Sequence, residues 1–284
     1  MLPLTRPGRP LLVLAALLLG VLAPLGAGSA AHGAAPHAHR LAAKPFLVAS
    51  STTGTAGDVV TLTGKAPKSW AKRKAKLQAS TEAEPDWTTV SKVKVPKNRQ
   101  VSTTYRLADA GTSRVRLVLP RQGDKRAEKS EPVVFAVQGW FYLADLTPIA
   151  TEIEGRPGSC TGGCTGFGRA AATIAGAPYA RSYVMRLDSN GNRSTSVWNA
   201  SYKCTRFEAT LGLDDSSPTT TSRFTINTGP GDVVLASPAT GVATPVSLDL
   251  TGVFRYTLAA SNTGGSAGAK AALGDARMLC SGKP

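Results

Sequence analysis

The sequence predicts an all-β protein of two β-sandwich domains behind an export leader. Three observations predict it. Short runs either alternate apolar with polar side chains or are β-branched, as strands with one buried face require. Gly, Pro, Asn, Asp and Ser punctuate these runs at spacings of about ten residues, the rhythm of sandwiches built from many short strands. No segment sustains the 3.6-residue apolar period of a helix packed on a core.

The chain of 284 residues opens "MLPLTRPGRPLLVLAALLLGVLAPLGAGSAAHGAA". Arg6 and Arg9 form a basic head, and an apolar run from Leu11 to Ala23 is broken by Pro24. Small residues follow, with cleavage positions at Ala30 or Ala31. The run is shorter than the roughly 20 residues of a membrane-spanning helix, so residues 1–31 read as a signal peptide, with a retained anchor as the competing reading. Residues 32–45 read as a linker. A mature protein that is secreted, extracellular or cell-surface associated, without a membrane span, is the expectation. All three histidines, His32, His37 and His39, fall in or beside this leader. The part that folds therefore has no imidazole, which excludes Ser-His-Asp and Cys-His catalysis and histidine-ligated metals.

The first domain is expected over residues 46–137. "DVVTLTG", "KAKLQAS", "WTTVSKVKV", "VSTTYRL", "SRVRLVLP" and "EPVVFAV" read as its strands. It carries 17 Lys/Arg against 8 Asp/Glu, whereas residues 138–284 carry 12 against 10, so most of the net charge of +15 belongs to this half. "KAPKSWAKRKAKL", from Lys65 to Leu77, sets six Lys/Arg around Trp70. It reads either as a solvated loop or as a patch for an anionic polymer such as an acidic polysaccharide. Nucleic-acid binding is not expected of an exported sandwich.

The second domain is expected over residues 138–284. "FYLADL", "AAATIAG", "SYVMRL", "TSVWNAS", "TRFEATLGL", "SRFTINTG", "DVVLASP", "TPVSLDLTG", "FRYTLAAS" and "DARMLC" read as antiparallel strands. In "TRFEATLGL", Thr205, Phe207, Ala209, Leu211 and Leu213 share one face, while Arg206, Glu208 and Thr210 share the other. Asp214 and Asp215 sit just past the end of that strand, before Ser216, Ser217 and Pro218. Three readings are open for the pair: caps on a tight turn, a calcium site built with backbone carbonyls, or a glycosidase acid pair. The last is disfavoured, because adjacent turn residues do not flank a sugar from opposite sides. No catalytic residue and no cofactor other than calcium is expected.

Trp140, Phe141, Tyr142, Tyr183, Trp198 and Tyr202 are candidate sugar platforms. Tyr183 and Trp198 come first, since they lie near strand ends whose loops would rim a site. The even set of cysteines, Cys160, Cys164, Cys204 and Cys280, reads as disulfides in an exported protein. In a sandwich Cys204 and Cys280 could be neighbours, and Cys160 with Cys164 could close a small glycine loop. Other pairings, such as Cys160 with Cys204, stay open.

Two resemblances sharpen these expectations. "STTGTAGDVVTLTG" and "WTTV" resemble bacterial immunoglobulin-like modules of secreted actinobacterial proteins. "FYLADLTPIATEIEG", "IAGAPYARSYVMRL", "VWNASYKCTRFEATLGLDDSS", "VSLDLTG" and "GDARMLC" are similar, in that order, to the family of novel putative carbohydrate-binding modules, NPCBM. That resemblance implies a galactose-binding-like jelly roll presenting loops to a glycan, hence a non-enzymatic partner for polysaccharide or cell-envelope glycan. The alternative is a structural or protein-interaction module at the cell surface. Where relatives tend to carry tryptophan ahead of "GDA", this chain has Leu273.

Overall fold

The computed structural model describes residues 46–121, 123, 126–154, 166–188, 192–265 and 267–284. The signal-peptide and linker segments, Cys160 and Cys164 lie outside the described residues. The described residues fall within one compact unit. They form strands and short turns, with single-turn 3-10 helices at Lys68–Trp70 and Leu143–Asp145. No helix among them is long and apolar enough to cross a membrane.

The first half contains β1 (Phe46–Ala49), β2 (Thr53–Thr55), β3 (Val59–Lys65), β4 (Lys74–Thr81), β5 (Thr88–Lys94), β6 (Gln100–Arg106), β7 (Gly111–Leu119), β8 (Glu128–Lys129) and β9 (Val133–Tyr142). One sheet has the order β1-β3-β6; the other runs β9-β7-β4-β5, with β8 beside β7. Alternation decides which side is buried. In β4, Ala75, Leu77 and Ala79 face the core with Leu62, Val115 and Phe135, while Lys74 and Lys76 face outward. Each fully buried large apolar side chain here stabilises the fold by roughly 1.5–3 kcal/mol. Trp70 is also wholly buried in this core and donates its ring N–H to Glu128, so it anchors the domain and is no part of an exposed basic patch. One pairing departs from the antiparallel expectation: β2 runs parallel to β9.

The second half contains β10 (Ala150–Ile153), β11 (Phe167–Ile174), β12 (Ala177–Leu187), β13 (Arg193–Asn199), β14 (Cys204–Leu213), β15 (Ser222–Asn227), β16 (Asp232–Ala236), β17 (Thr244–Asp249), β18 (Arg255–Asn262) and β19 (Ala269–Cys280). One sheet runs β10-β13-β18-β15-β16; the other is built from β11, β12, β19, β14 and β17. Phe207, Leu211, Leu213, Phe224, Tyr256 and Met278 fill the core between them. The alternation of β14 therefore puts Phe207 and Leu211 inward, both fully buried, as the sequence predicts. Thr205 departs from it. A register shift between Cys204 and Arg206 turns its side chain outward, where the hydroxyl accepts from Gln138.

Strand β9 belongs to both halves. Its first residues pair with β7, and Gly139 to Tyr142 pair with Cys280 to Arg277 of β19. The expected domain boundary at residue 137/138 falls inside this strand. Cys204 and Cys280 stand directly opposite each other and are disulfide-bonded, 76 residues apart in sequence. In the chain-entropy view, closing a loop of that length removes unfolded-state freedom equivalent to about 4 kcal/mol.

Candidate functional site

The aspartate pair caps a turn. Asp215 accepts the backbone N–H groups of Ala175 at 3.0 Å and Gly176 at 2.8 Å. These two residues form the β11–β12 turn, and both have positive φ, +51° and +78°. Asp214 accepts the N–H of Thr173 at 3.1 Å and that of Ser216 at 3.1 Å, together with the Ser216 hydroxyl. Burial pushes the Asp214 carboxyl up, but the Ser216 and Thr173 hydrogen bonds and the Lys270 charge outweigh it and hold the group below its ordinary value. Every carboxylate oxygen of the pair accepts at least one N–H or O–H donor from the protein. No cluster of three or more metal-ligating side chains occurs among the described residues. The turn-capping reading of Asp214 and Asp215 thus finds its partners at Thr173, Ala175, Gly176 and Ser216.

Burial corrects the first-choice platforms. Tyr183 and Trp198 are each 1% exposed. Their rings meet edge to face at 4.9 Å, and the Tyr183 hydroxyl bonds Ser196 at 2.9 Å. Burial, only partly countered by that bond, pushes the Tyr183 phenol up to about 12. These rings meet because both lie on the inner side of facing sheets, and Tyr183 stands in the middle of β12 rather than near a strand end as expected. Leu273 points the same way, paired with Tyr183 and Leu211, so a side chain at that position is a core element. Of the remaining candidates, Phe141 packs against the core, and Tyr202 is 69% exposed, in contact with Phe254 at 5.2 Å.

The functional groups gather on the outward face of the β9-β19-β14-β17 surface. Register alone builds it. Tyr142, Arg277, Glu208 and Ser247 stand in one row, and Trp140, Leu279, Arg206 and Asp249 in the next. Arg277 gives Nε and Nη2 to Glu208 Oε2 at 3.3 and 2.9 Å, and Arg206 Nε meets Oε1 at 3.1 Å. The Arg277 guanidinium also lies 4.2 Å from the Trp140 ring centroid. Its pKa is raised, chiefly by the Glu208 hydrogen bond, with burial opposing and Tyr142 assisting.

Beside this row lies a groove of about 420 Å³ lined by Glu208, Thr210, Pro245, Ser247, Asp275 and Arg277, among others. That volume lies within the range of small-ligand sites. Its unusual member is Asp275. Glu208 pairs with Arg277 and Thr210 with Gly274, so Asp275 and Ala276 together oppose Ala209, the two-against-one count of a β-bulge. Asp275 sits in the bulge at φ +48°, a left-handed conformation costly for a residue with a Cβ. It is exposed and makes no hydrogen bond or ion pair with another described residue. Next to it the Tyr179 ring rests on Gly274, where a Cβ would come within 2.7 Å of the ring. Sequence reasoning missed both Asp275 and Tyr179, although a signal was present. Buried positions in β19 run Ala269, Ala271, Leu273 and then Ala276, Met278, Cys280, a slip of one residue in the alternation.

A second groove, of about 470 Å³, lies over β11 and β12, with Phe167, Val184, Arg186, Asp214 and Lys270 in its walls. Its carboxylate is the turn-capping Asp214, and its Arg186 is paired with Asp188 at 2.6 Å.

No family model and no curated protein matches the chain. Among solved structures it is similar to the CBM51 module of Clostridium perfringens GH95 in complex with methyl-galactose, at 16% identity and a TM-score of 0.35, over 49% of this chain and 99% of that one. It is similar to TmCBM27, a carbohydrate-binding module described for specific mannan recognition, at 11% identity and a TM-score of 0.28, over 50% and 95%. The tandem CBM22-1–CBM22-2 domain of Paenibacillus barcinonensis Xyn10C follows at 13% identity and 0.30, over 80% and 79%. Likenesses this distant assign neither a ligand nor a site to this chain.

Proposed function

We propose that this is an exported, non-enzymatic glycan-binding protein that takes sugar units in the groove around Asp275. One observation carries the reading: an exposed carboxylate without a partner among the described residues, held in a strained bulge midway along the longest described strand. Strain of this kind persists where the surroundings impose it, and it concentrates at binding sites. Sugar hydroxyls are both donors and acceptors, so they suit a free carboxylate beside Thr210, Ser247 and the Arg277 guanidinium. Pro245, Val246 and the Tyr179 ring supply apolar surface for pyranose C–H faces. Glu208 already has both oxygens committed to arginines, so Asp275 stands alone rather than as half of a hydrolytic acid pair.

In this reading the second half is an NPCBM-like, galactose-binding-like module. The first half is an immunoglobulin-like spacer or electrostatic anchor, and the leader directs the protein outside the cell.

Pull-down of the full chain on galactan, mannan, xylan and cellulose tests the reading. Retention on at least one is expected, with Asp275→Asn weakening it about tenfold or more, the worth of a charged hydrogen bond. Asparagine tolerates the left-handed conformation, so folding is preserved. Absence of retention on every glycan sinks the function. Loss with Tyr202→Ala but not with Asp275→Asn moves the site to the exposed Tyr202–Phe254 pair.

A further inference from the structure

The first half carries a surface that the groove does not explain. On the outward face of the β9-β7-β4-β5 sheet, Lys74 stands directly opposite Lys94, and Lys76 directly opposite Lys92. Val118, opposite Lys76, is in turn opposite Lys129, so the second of these rows gains another cation. Arg116 is opposite Gln78 in the neighbouring row and bonds it through Nε and Nη2. Lys74, Lys76, Lys92, Lys94 and Lys129 are exposed or half-exposed, and none is within 4.0 Å of a carboxylate oxygen of a described residue. Like charges directly opposite each other on one face destabilise a sheet, and here two such pairs lie side by side. Folding is not helped by this arrangement, which instead concentrates positive potential along a strip. Cation rows recur about 7 Å apart along the strands and about 5 Å across them, a grid that follows an extended chain with repeating anionic groups.

We propose that this strip binds a linear polysaccharide bearing a negative charge on its repeat units, a second site independent of the groove around Asp275. Such a polymer offers charge at regular intervals and needs no base-stacking surface. Single-stranded nucleic acid does need one, and the Trp87 ring already has the Arg116 guanidinium stacked on one face, 3.8 Å from its centroid. The lysines, being flexible and strongly hydrated point charges, suit a polymer without fixed geometry.

The test measures binding of the full chain to alginate, dextran sulfate, neutral dextran and a thirty-nucleotide single-stranded DNA at 50 and 200 mM NaCl. Alginate and dextran sulfate separate carboxylate from sulfate recognition. Binding to at least one of them, none to neutral dextran, and a drop of about tenfold or more between the two salt concentrations are expected. The variant Lys74→Gln, Lys76→Gln, Lys92→Gln, Lys94→Gln should lose about tenfold at 50 mM and flatten the salt dependence. Its thermal midpoint should hold or rise, since repulsion is removed. An equal loss in Lys65→Gln, Lys68→Gln, Lys72→Gln would show that net charge alone binds, and would overturn the site. Unchanged binding in the fourfold variant, no polyanion binding, or tighter binding of the DNA than of either glycan would overturn it too. Asp275→Asn should leave this binding unaltered, which separates its failure from that of the groove.

Discussion

Strand β9 connects two sheets whose outward faces treat positive charge in opposite ways. Beyond its first-half pairing, on the β7-β4-β5 side, lysines stand opposite lysines without acidic partners among the described residues. Beyond its second-half pairing, on the β19-β14 side, Arg206 and Arg277 clasp Glu208 and stack on Trp140, while Arg181 lies over Tyr142 and reaches Asp145. Every ion pair between described residues that we find lies in the second half. Guanidinium groups are planar, fork carboxylates and pack on rings, so they become part of the sheet's own surface. Ammonium groups left unpaired stay in solvent and remain available. One face thus pairs its arginines internally beside Asp275, which has no partner among the described residues, and the other is a strip of lysines without acidic partners among them.

That contrast can be broken or sharpened by measurement. The largest effect concerns the covalent tie beneath the paired face. Cys204→Ser with Cys280→Ser should cost about 4 kcal/mol in urea unfolding, and a loss under about 1 kcal/mol would show that the cross-link is not what holds β14 to β19. Next, Arg277→Ala should destabilise by about 1–2 kcal/mol, moderated by partial exposure, because Glu208 loses its closer partner. In a double-mutant cycle with Glu208→Gln, a coupling energy near zero would undo the distinction between the faces. Charge reversal on the lysine face should act the other way. Lys76→Glu, placed opposite Lys92, should stabilise by a few tenths of a kcal/mol, and destabilisation there would mean the lysines are structurally paired after all.

The smallest effect is a matter of pH. Asp214 has a folded value below its ordinary 3.8, so its contribution is complete above that value and fades as pH falls through the lower, folded one. Asp214→Asn should therefore lower the urea midpoint relative to the parent at pH 6, with the gap closing toward pH 2.5. A gap independent of pH would refute the capping role.

Much of this was legible beforehand, and unevenly. Phe207 and Leu211 declare their buried side by alternation, whereas Cys204 with Cys280 was one open pairing among several until register set the two opposite each other. Asp214 and Asp215 were readable as turn formers, although their partners at Thr173, Ala175 and Gly176 lie some forty residues away. Trp198 misled because an aromatic near a strand end looks the same whether it faces the opposite sheet or solvent, and Tyr183 because β12 starts at Ala177 and places it mid-strand. Asp275 left only a one-residue slip in the pattern of β19.

What the sequence determined by itself was most of the longer strands, the inward side of β14 at Phe207 and Leu211, and the excess of charge in the first half. Only the tertiary structure decided that β9 serves two sheets, that lysines face lysines, and that a strained aspartate opens onto a groove. The reason is one of range: a period of two is written into neighbouring residues, whereas register and the covering of a face are settled by chain segments far apart, through contacts that exist only once the sheets have closed on their cores.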